Sequence, residues 1–204
     1  MREGGTAQAA LTLIDHRGRV ALLKSFDHTG WWFRRVVGPL LIGREAAAYA
    51  ALDGIPGVPR LLERKGRTSL VVELIDGRSC FACAASEFDA RFFEQLDDLL
   101  ASIRARGVVH GDVKRNVIRG QDGRPCLVDF GASFVLGQRF PWLTASLMNV
   151  AEKYDRRAVV KLKAATAPHL MTEADHERVA AQLPFERLVR SGEFFLKWVR
   201  QKAG

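Results

Sequence analysis

A helical repeat of apolar residues, followed at once by two polar loops, constrains this chain more than any other feature. Six apolar residues recur at the spacing of one helix face: Phe88, Phe92, Leu96, Leu99, Leu100 and Ile103. Ser86 followed by Asp89 resembles a capping box and predicts the start of this helix, and Gly107 predicts its end. Beyond it, the polar stretches 110–116 and 128–131 flank a short predicted hairpin with an Asp-Gly turn. The hairpin makes the two loops neighbours.

The first half of the chain is predicted to be antiparallel strands around one helix. The predicted strands are 11–14, 20–24, 60–63 and 69–75, and the predicted helix is 45–53. From about Trp142 onward we expect three or four helices, with Asp155 and Thr172 as N-caps and Pro184 as a break. The pattern indicates an α+β chain in which a mixed lobe, residues 1–76, joins a mostly helical lobe, residues 77–204.

Composition excludes several classes of protein. The 204 residues are 48% hydrophobic and 26% charged, which is ordinary for a globular protein. We expect no membrane span and no export signal, because no apolar run approaches the roughly 18 residues of a span and the first residues are polar. Three cysteines do not make a disulfide framework, so a reducing cytoplasm is the expected location. The net charge of +8 lies in the second half and predicts an anionic partner.

The two polar loops carry the chemistry of phosphoryl transfer. Asp112, Asn116 and Asp129 are oxygen donors on adjacent loops, which can hold a divalent cation and orient a hydroxyl. Lys114 follows Asp112 by two residues and can neutralise a phosphoryl group in transfer.

With these loops, the sequence resembles the protein-kinase superfamily over residues 10–135. The resemblance implies a minimal bilobal kinase-like fold, with a small antiparallel-sheet N-lobe, a mostly helical C-lobe and ATP between them. It assigns Lys24 to the inner phosphates of ATP, Glu45 to the ion pair that holds this lysine, and Leu22, Glu73 and Ile75 to the adenine pocket.

The resemblance also assigns roles to the two loops. In the catalytic loop, 108–119, Asp112 is the base that takes the proton of the acceptor hydroxyl, and Lys114 stabilises the phosphoryl group. Asn116 and Asp129, the latter opening the Asp-Phe-Gly stretch 129–131, hold Mg²⁺. His110 is expected to be structural.

Within the superfamily, the sequence looks most similar to small bacterial kinases of the lipopolysaccharide core, the heptose and Kdo kinase-like family. The cues are His-Gly-Asp at 110–112, Gly-Arg-Glu-Ala-x-Ala-Tyr at 43–49, and a short helical lobe. RIO kinases are also minimal but typically lack Asp-Phe-Gly at this place. Two departures stand out: the first strand and Gly-rich loop are truncated, with Gly4-Gly5-Thr6 as a remnant, and Asp112 and Asn116 are four rather than five residues apart.

The expected function is transfer of the γ-phosphate of ATP to a hydroxyl of a core-type sugar. A minimal serine/threonine protein kinase is the first alternative, suggested by Lys114, and a pseudokinase that binds nucleotide or acts as a scaffold is the second.

Three further features have competing explanations. The Cys80-x-x-Cys83 pair is expected to be structural thiols rather than a metal site. The Trp31–Arg35 stretch either packs on the predicted helix, which we expect, or touches an anionic membrane. The basic amphipathic stretch 185–202 either docks on the helical lobe or contacts the membrane as a peripheral surface. No nucleic-acid-binding motif is present, and no such partner is expected.

Overall fold

The computed structural model describes residues 8–136 and 141–180, with the backbone alone for 141–147 and 179. It begins with a hairpin of strands β1 (Ala10–His16) and β2 (Arg19–Ser25). The two turn residues, Arg17 and Gly18, both have positive φ angles, 56° and 78°. Such a two-residue turn matches the twist of a hairpin and favours glycine, so the predicted hairpin is confirmed.

The helix α1 (Gly38–Ala51) follows β2 and begins well before the predicted start at Glu45. A wider helical turn, Phe33–Val37, precedes it. Gly38 and Gly43 lower the helix propensity of this stretch and hid it from a local prediction. Packing decides the outcome instead, because Phe33 and Ile42 are buried in the core.

Strands β3 (Leu61–Lys65) and β4 (Ser69–Glu73) complete the first sheet, whose order is β1-β2-β4-β3 with every pair antiparallel. After Glu73 the chain leaves this sheet and enters β5 (Gly77–Ser79). The predicted lobe boundary at residue 76 lies in this connection, between the two sheets.

The long predicted helix is present as α2 (Ala90–Ala105), but its cap differs from the prediction. Asp89 is the N-cap, and its carboxylate accepts a hydrogen bond of 2.9 Å from the backbone N–H of Phe92. Ser86 lies one turn earlier, in a 3₁₀ turn at Ala85–Glu87, so the predicted capping box is wrong. The apolar face of α2 is buried as predicted.

Four short strands follow α2 and frame the two polar loops. They are β6 (Val108–Val109), β7 (Val117–Gly120), β8 (Pro125–Leu127) and β9 (Phe134–Val135). β7 pairs with both β5 and β8, and β6 pairs with β9. The predicted β7–β8 hairpin is confirmed, and the β6–β9 pair brings the ends of the two polar loops together.

Helices α3 (Pro141–Thr166) and α4 (Glu173–Ala180) end the described chain. Asp155 is not an N-cap, because it lies inside α3, where it is buried and accepts a 2.8 Å bond from Arg104 of α2. Thr172 does cap α4: its hydroxyl accepts from the N–H of Asp175, whose carboxylate accepts from the N–H of Thr172. Pro184 and the stretch 185–202 lie outside the described residues, as does Gly4-Gly5-Thr6.

The structure is an α+β fold with an antiparallel sheet in its first part and helices in its second, as predicted. Within the described ranges, no helix is long and apolar enough to span a bilayer.

Candidate active site

Three charged side chains from distant parts of the sequence meet at one point. The ammonium of Lys24 on β2 lies 3.0 Å and 2.8 Å from the two carboxylate oxygens of Glu45 on α1. The same ammonium donates a 2.7 Å hydrogen bond to Oδ1 of Asp129, which follows β8. The site therefore joins the first sheet, the helix and the second polar loop through one cation.

The environment of these three groups shifts their pKa values. Burial lowers the pKa of the Lys24 ammonium, but the charges of Glu45 and Asp129 outweigh that effect and raise it. Burial alone would raise the pKa of Asp129, and the charge and hydrogen bond of Lys24 reverse this and hold it below its usual value. Burial raises the pKa of Glu45, whose side chain is 2% exposed. Lys24 and Asp129 are thus charged at neutral pH.

Asp129 occupies an unusual backbone conformation. Its φ of 59° and ψ of 74° lie in the left-handed region, which non-glycine residues rarely adopt. The turn is held by the N–H of Gly131, which donates to Oδ1 of Asp129 at 3.3 Å, and by the burial of Phe130. Such strain persists only where the surroundings impose it, and it is concentrated at functional sites.

His110 joins the two polar loops from beneath. Its Nε2 lies 3.0 Å from the carbonyl oxygen of Val128, and its Nδ1 accepts a 3.2 Å bond from the N–H of Asp112. Because Nδ1 faces a donor, the proton must lie on Nε2, and the imidazole is neutral. Burial lowers its pKa to about 4. The ring packs on Phe130 with centroids 4.6 Å apart, which fits the structural role predicted for it.

Gly111, between His110 and Asp112, explains the His-Gly-Asp pattern. Its φ is 81°, and a Cβ built on it would lie 2.7 Å from the carbonyl oxygen of Ala132. The two polar loops approach so closely here that a side chain does not fit.

Asn116 lies beside the second loop. Its carbonyl oxygen accepts a 3.0 Å bond from the N–H of Val128, the residue before Asp129. Its side-chain nitrogen donates to the backbone oxygen of Asp112 at 2.8 Å, and Oδ1, the atom that can ligate a metal, takes no part in that bond. The shortened first loop therefore holds Asn116 against Asp112 and against Val128, the residue before Asp129.

Lys114 lies on the same loop, and its side chain contacts an aromatic ring. Its ammonium lies 5.9 Å from the centre of the half-exposed ring of Phe81. This distance is within the range of a cation–π contact.

The predicted adenine-binding residues lie on two strands of the first sheet and in the connection that follows it. Leu22 shares a face of β2 with Lys24, because side chains two residues apart on a strand point the same way. Glu73 ends β4 and is exposed, and Ile75 lies in the connection to β5. The carboxylate of Glu73 accepts a hydrogen bond from the N–H of Arg60, and the N–H of Glu73 donates to the carbonyl oxygen of Arg60. These two bonds fix the start of the connection to β5.

Two residues of the site escaped the sequence prediction. Leu13 of β1 pairs with Leu22, lies on the same face of the sheet and is 54% exposed, so it adds a second leucine to that face. Arg44, next to Glu45, donates to the carbonyl oxygen of Ser133 at 2.8 Å and packs its guanidinium on Phe134 at 4.3 Å. Alternation along β1 could have identified Leu13, but nothing local distinguishes Arg44.

The thiols have no metal partners in the described part of the chain, where no group of three or more His, Cys, Asp or Glu side chains could hold a metal ion. All three cysteines are free. Cys80 is fully buried, and burial raises its pKa to about 12, as expected for a structural thiol.

Comparison with known proteins supports the fold. No family model matches the sequence, and no curated protein matches it. Two matching solved structures are the Rio2 kinase from Chaetomium thermophilum and a complex of that kinase with ADP/Mg²⁺ and phosphoaspartate. The first aligns with a TM-score of 0.63 over 92% of this chain, and the second with 0.62 over 93%, each at 16% identity.

Both alignments cover 60% of the Rio2 chain, so this protein spans about three fifths of those kinases. Neither structure is a lipopolysaccharide kinase, and the resemblance to that group stays a prediction. The chain has the protein-kinase-like fold.

Proposed function

We propose that this protein is an ATP-dependent phosphotransferase that transfers the γ-phosphate to a hydroxyl group. The observation that carries the proposal is the single ammonium of Lys24 held between Glu45 and Asp129 in a kinase-like fold. A lysine fixed in this way presents positive charge to phosphates, and charge neutralisation with positioning is most of what phosphoryl transfer requires.

ATP binds between the sheet and the helical part. Lys24 binds its inner phosphates, and Glu45 keeps the ammonium in place. The adenine lies under Leu22 and meets the backbone around Glu73 and Ile75. The ammonium has three donors, of which Lys24 gives one to Glu45 and one to Asp129, so the third is available to a phosphate oxygen.

The donor set fits Mg²⁺. Asp129 has a 53% exposed side chain, and with Asn116 it offers the hard oxygen ligands that this ion prefers. Two protein ligands suffice, since Mg²⁺ keeps waters and takes phosphate oxygens as further ligands. When bound, the ion supplies charge neutralisation for the transferred group. Asn116 and Asp129 would hold the ion, on loops that backbone hydrogen bonds fix in place.

Asp112 accepts the proton of the acceptor hydroxyl, and Lys114 stabilises the phosphoryl group in transfer. The His110 ring supports Asp112 through its backbone N–H, which holds the catalytic loop against the second loop.

For the acceptor we propose a sugar hydroxyl of the lipopolysaccharide-core type, on the sequence resemblance described above. A protein serine or threonine is the alternative that Lys114 favours. The second Rio2 structure contains a phosphoaspartate, which makes an aspartate of the chain itself a further acceptor to test.

The experiment incubates the purified chain and labelled ATP with either core oligosaccharide or a cell lysate. Label on the oligosaccharide supports the sugar acceptor, label on lysate proteins supports the protein acceptor, and hydroxylamine-sensitive label on the chain itself indicates a phosphoaspartate. Asp112→Asn should abolish transfer to a hydroxyl and leave nucleotide binding intact. The matched control is Asp122→Asn, since Asp122 is an exposed carboxylate on the β7–β8 turn. If the chain binds nucleotide and labels no acceptor, the pseudokinase is the alternative that remains.

A further inference from the structure

The segment that leads into α1 is basic, aromatic and free of acids. From His28 to Arg44 the chain has three arginines and two tryptophans but no aspartate or glutamate. Trp31 and Trp32 are 63% and 56% exposed, and Leu40, two turns later, is 64% exposed. We expected this stretch to pack on the helix, but it forms the beginning of the helix, and both tryptophans face solvent.

Two of the three arginines of this segment, Arg34 and Arg35, line a surface cavity of about 300 Å³. Its lining residues are Trp31, Arg34, Arg35, Pro39, Arg67 and Thr68. The guanidinium of Arg35 lies 5.8 Å from the centre of the Trp31 ring. Arg67 comes from the turn between β3 and β4, so two separate parts of the chain contribute cations to one cavity.

The charge of the cavity is positive even when its nearest acid is included. None of the lining residues is acidic. Asp27 lies beside the cavity and accepts hydrogen bonds from the hydroxyls of Thr68, Ser25 and Ser69. Its pKa is held low by the Thr68 bond first. Arg34 donates to the carbonyl oxygen of Asp27 at 3.3 Å, and its charge adds to the lowering of that pKa. Three guanidiniums thus line the cavity beside one carboxylate, which leaves an excess of about two positive charges for an anion.

We propose that this surface docks on an anionic lipid bilayer. We define the docking surface as Trp31, Trp32, Leu40, Arg34, Arg35 and Arg67. Leu40 lines a second cavity, which adjoins the first because Pro39 lines both. Guanidinium groups bind phosphate with two parallel hydrogen bonds, which suits the headgroups of lipids. Tryptophan rings are favoured at the boundary between headgroups and acyl chains, and exposed leucine gains from leaving water. The inference does not depend on the phosphotransferase activity.

A bilayer accounts for both the cationic and the apolar residues of the docking surface. A free phosphate would use the arginines but leave Trp32 and Leu40, which do not line the cavity, in water. A single-stranded nucleic acid would use the arginines and the tryptophan rings, but not the aliphatic side chain of Leu40. The bilayer is therefore the partner that the observations favour.

The test is flotation of the full chain with phosphatidylcholine vesicles, with and without phosphatidylglycerol. We expect binding only to the anionic vesicles. Since each arginine near such a surface contributes about 1 kcal/mol, Arg35→Ala/Arg67→Ala should weaken binding about thirtyfold. This difference should shrink in about 1 M salt, where the Debye length falls to about 3 Å. Trp31→Ser/Trp32→Ser should weaken binding at either salt concentration, because its contribution is apolar.

The matched controls are Arg156→Ala and Val150→Ala, which remove an exposed cation and an exposed apolar side chain from α3. They should bind as the wild type does. Thermal melting checks the fold of each variant. If Arg35→Ala/Arg67→Ala melts early, Arg35→Gln/Arg67→Gln replaces it. The salt dependence of wild-type binding then serves as a second measurement that needs no variant.

Several results would overturn the proposal. The wild type could fail to float with anionic vesicles, or the arginine variant could lose no more binding than Arg156→Ala. Soluble glycerol phosphate could displace the protein completely, which would identify a site for free phosphate. An oligonucleotide that displaces it from the vesicles would indicate nucleic-acid binding instead.

Discussion

Replacing His110 by glutamine should make the free energy of unfolding less sensitive to acid pH, because it removes one buried group that titrates. The ring is buried, its Nε2 donates to Val128 and its Nδ1 accepts from Asp112. Protonation would turn Nδ1 into a donor that faces another donor, and it would place a charge in the core. Burial accordingly lowers the pKa of His110 from 6.5 to about 4.

The sign follows from where the proton binds. Between pH 6.5 and about 4 the unfolded chain takes up a proton at His110 that the folded chain does not. The free energy of unfolding therefore falls as the pH falls through this window. At about 1.4 kcal/mol per pKa unit, the loss from this one group is about 3 kcal/mol. Glutamine does not titrate, so the variant keeps this part of its free energy of unfolding at acid pH. At neutral pH the substitution should lower the free energy of unfolding by about 2 kcal/mol, because one hydrogen bond is broken.

The assay is urea unfolding of the wild type and His110→Gln at steps between pH 7 and pH 4. The wild type should be more stable than His110→Gln by about 2 kcal/mol at pH 7, and this advantage should fall by about 3 kcal/mol across the range, so that the variant is the more stable of the two by about 1 kcal/mol at pH 4. Asp155, whose pKa burial raises to about 6, stabilises the fold toward acid pH, but this contribution cancels in the difference. His169→Gln, at an exposed histidine, is the control and should follow the wild type. A difference that is constant with pH would refute the neutral, buried imidazole.

Three other substitutions test the site and the core. Lys24→Met should abolish measurable ATP binding and destabilise the fold by about 3 kcal/mol, since a buried carboxylate loses its partner; calorimetric titration with ATP and thermal melting measure the two effects. Gly111→Ala should cost about 1–3 kcal/mol in urea unfolding because of the positive φ and the contact with the neighbouring loop. Arg104→Ala should cost about 3–5 kcal/mol in urea unfolding because it leaves Asp155 buried without its cation.

The glycine and arginine substitutions have controls in the same chain. Gly30→Ala has an ordinary φ and open space around the new methyl group, so it should be nearly neutral. Arg156→Ala breaks only an exposed pair with Glu152 on α3 and should change stability by about 0.5 kcal/mol or less. Equal losses in Arg104→Ala and Arg156→Ala would contradict the buried pair. Full nucleotide binding by Lys24→Met would remove this lysine from its proposed role.

Local patterns predicted those elements whose residues determine their own conformation. The hairpin at Arg17-Gly18 and the helix α2 follow from turn residues and apolar spacing, and the structure has both. The start of α1 could not be predicted in this way. Two glycines lower the local propensity there, while burial of Phe33 and Ile42 in the hydrophobic core supplies the compensating energy.

The helix caps show the same contrast between what the local sequence determines and what tertiary contacts determine. Thr172 caps α4 with an acid three residues later, a local arrangement that the sequence displays. Asp155 has an equally suitable side chain, yet it lies inside α3, because Arg104 on another helix offers it a buried partner. A cap signal in the sequence does not reveal a partner that is distant along the chain.

The order of residues along the chain determined the kinds of group available: a lysine on a strand, an acid on a helix, and two polar loops around a hairpin. That order also indicated a kinase-like fold. Only the tertiary structure decided that Lys24 reaches both acids, that Gly111 must lack a side chain, and that the two tryptophans face outward. The physical reason is that hydrogen bonds, ion pairs and burial depend on distances between residues far apart in sequence, which no local pattern contains.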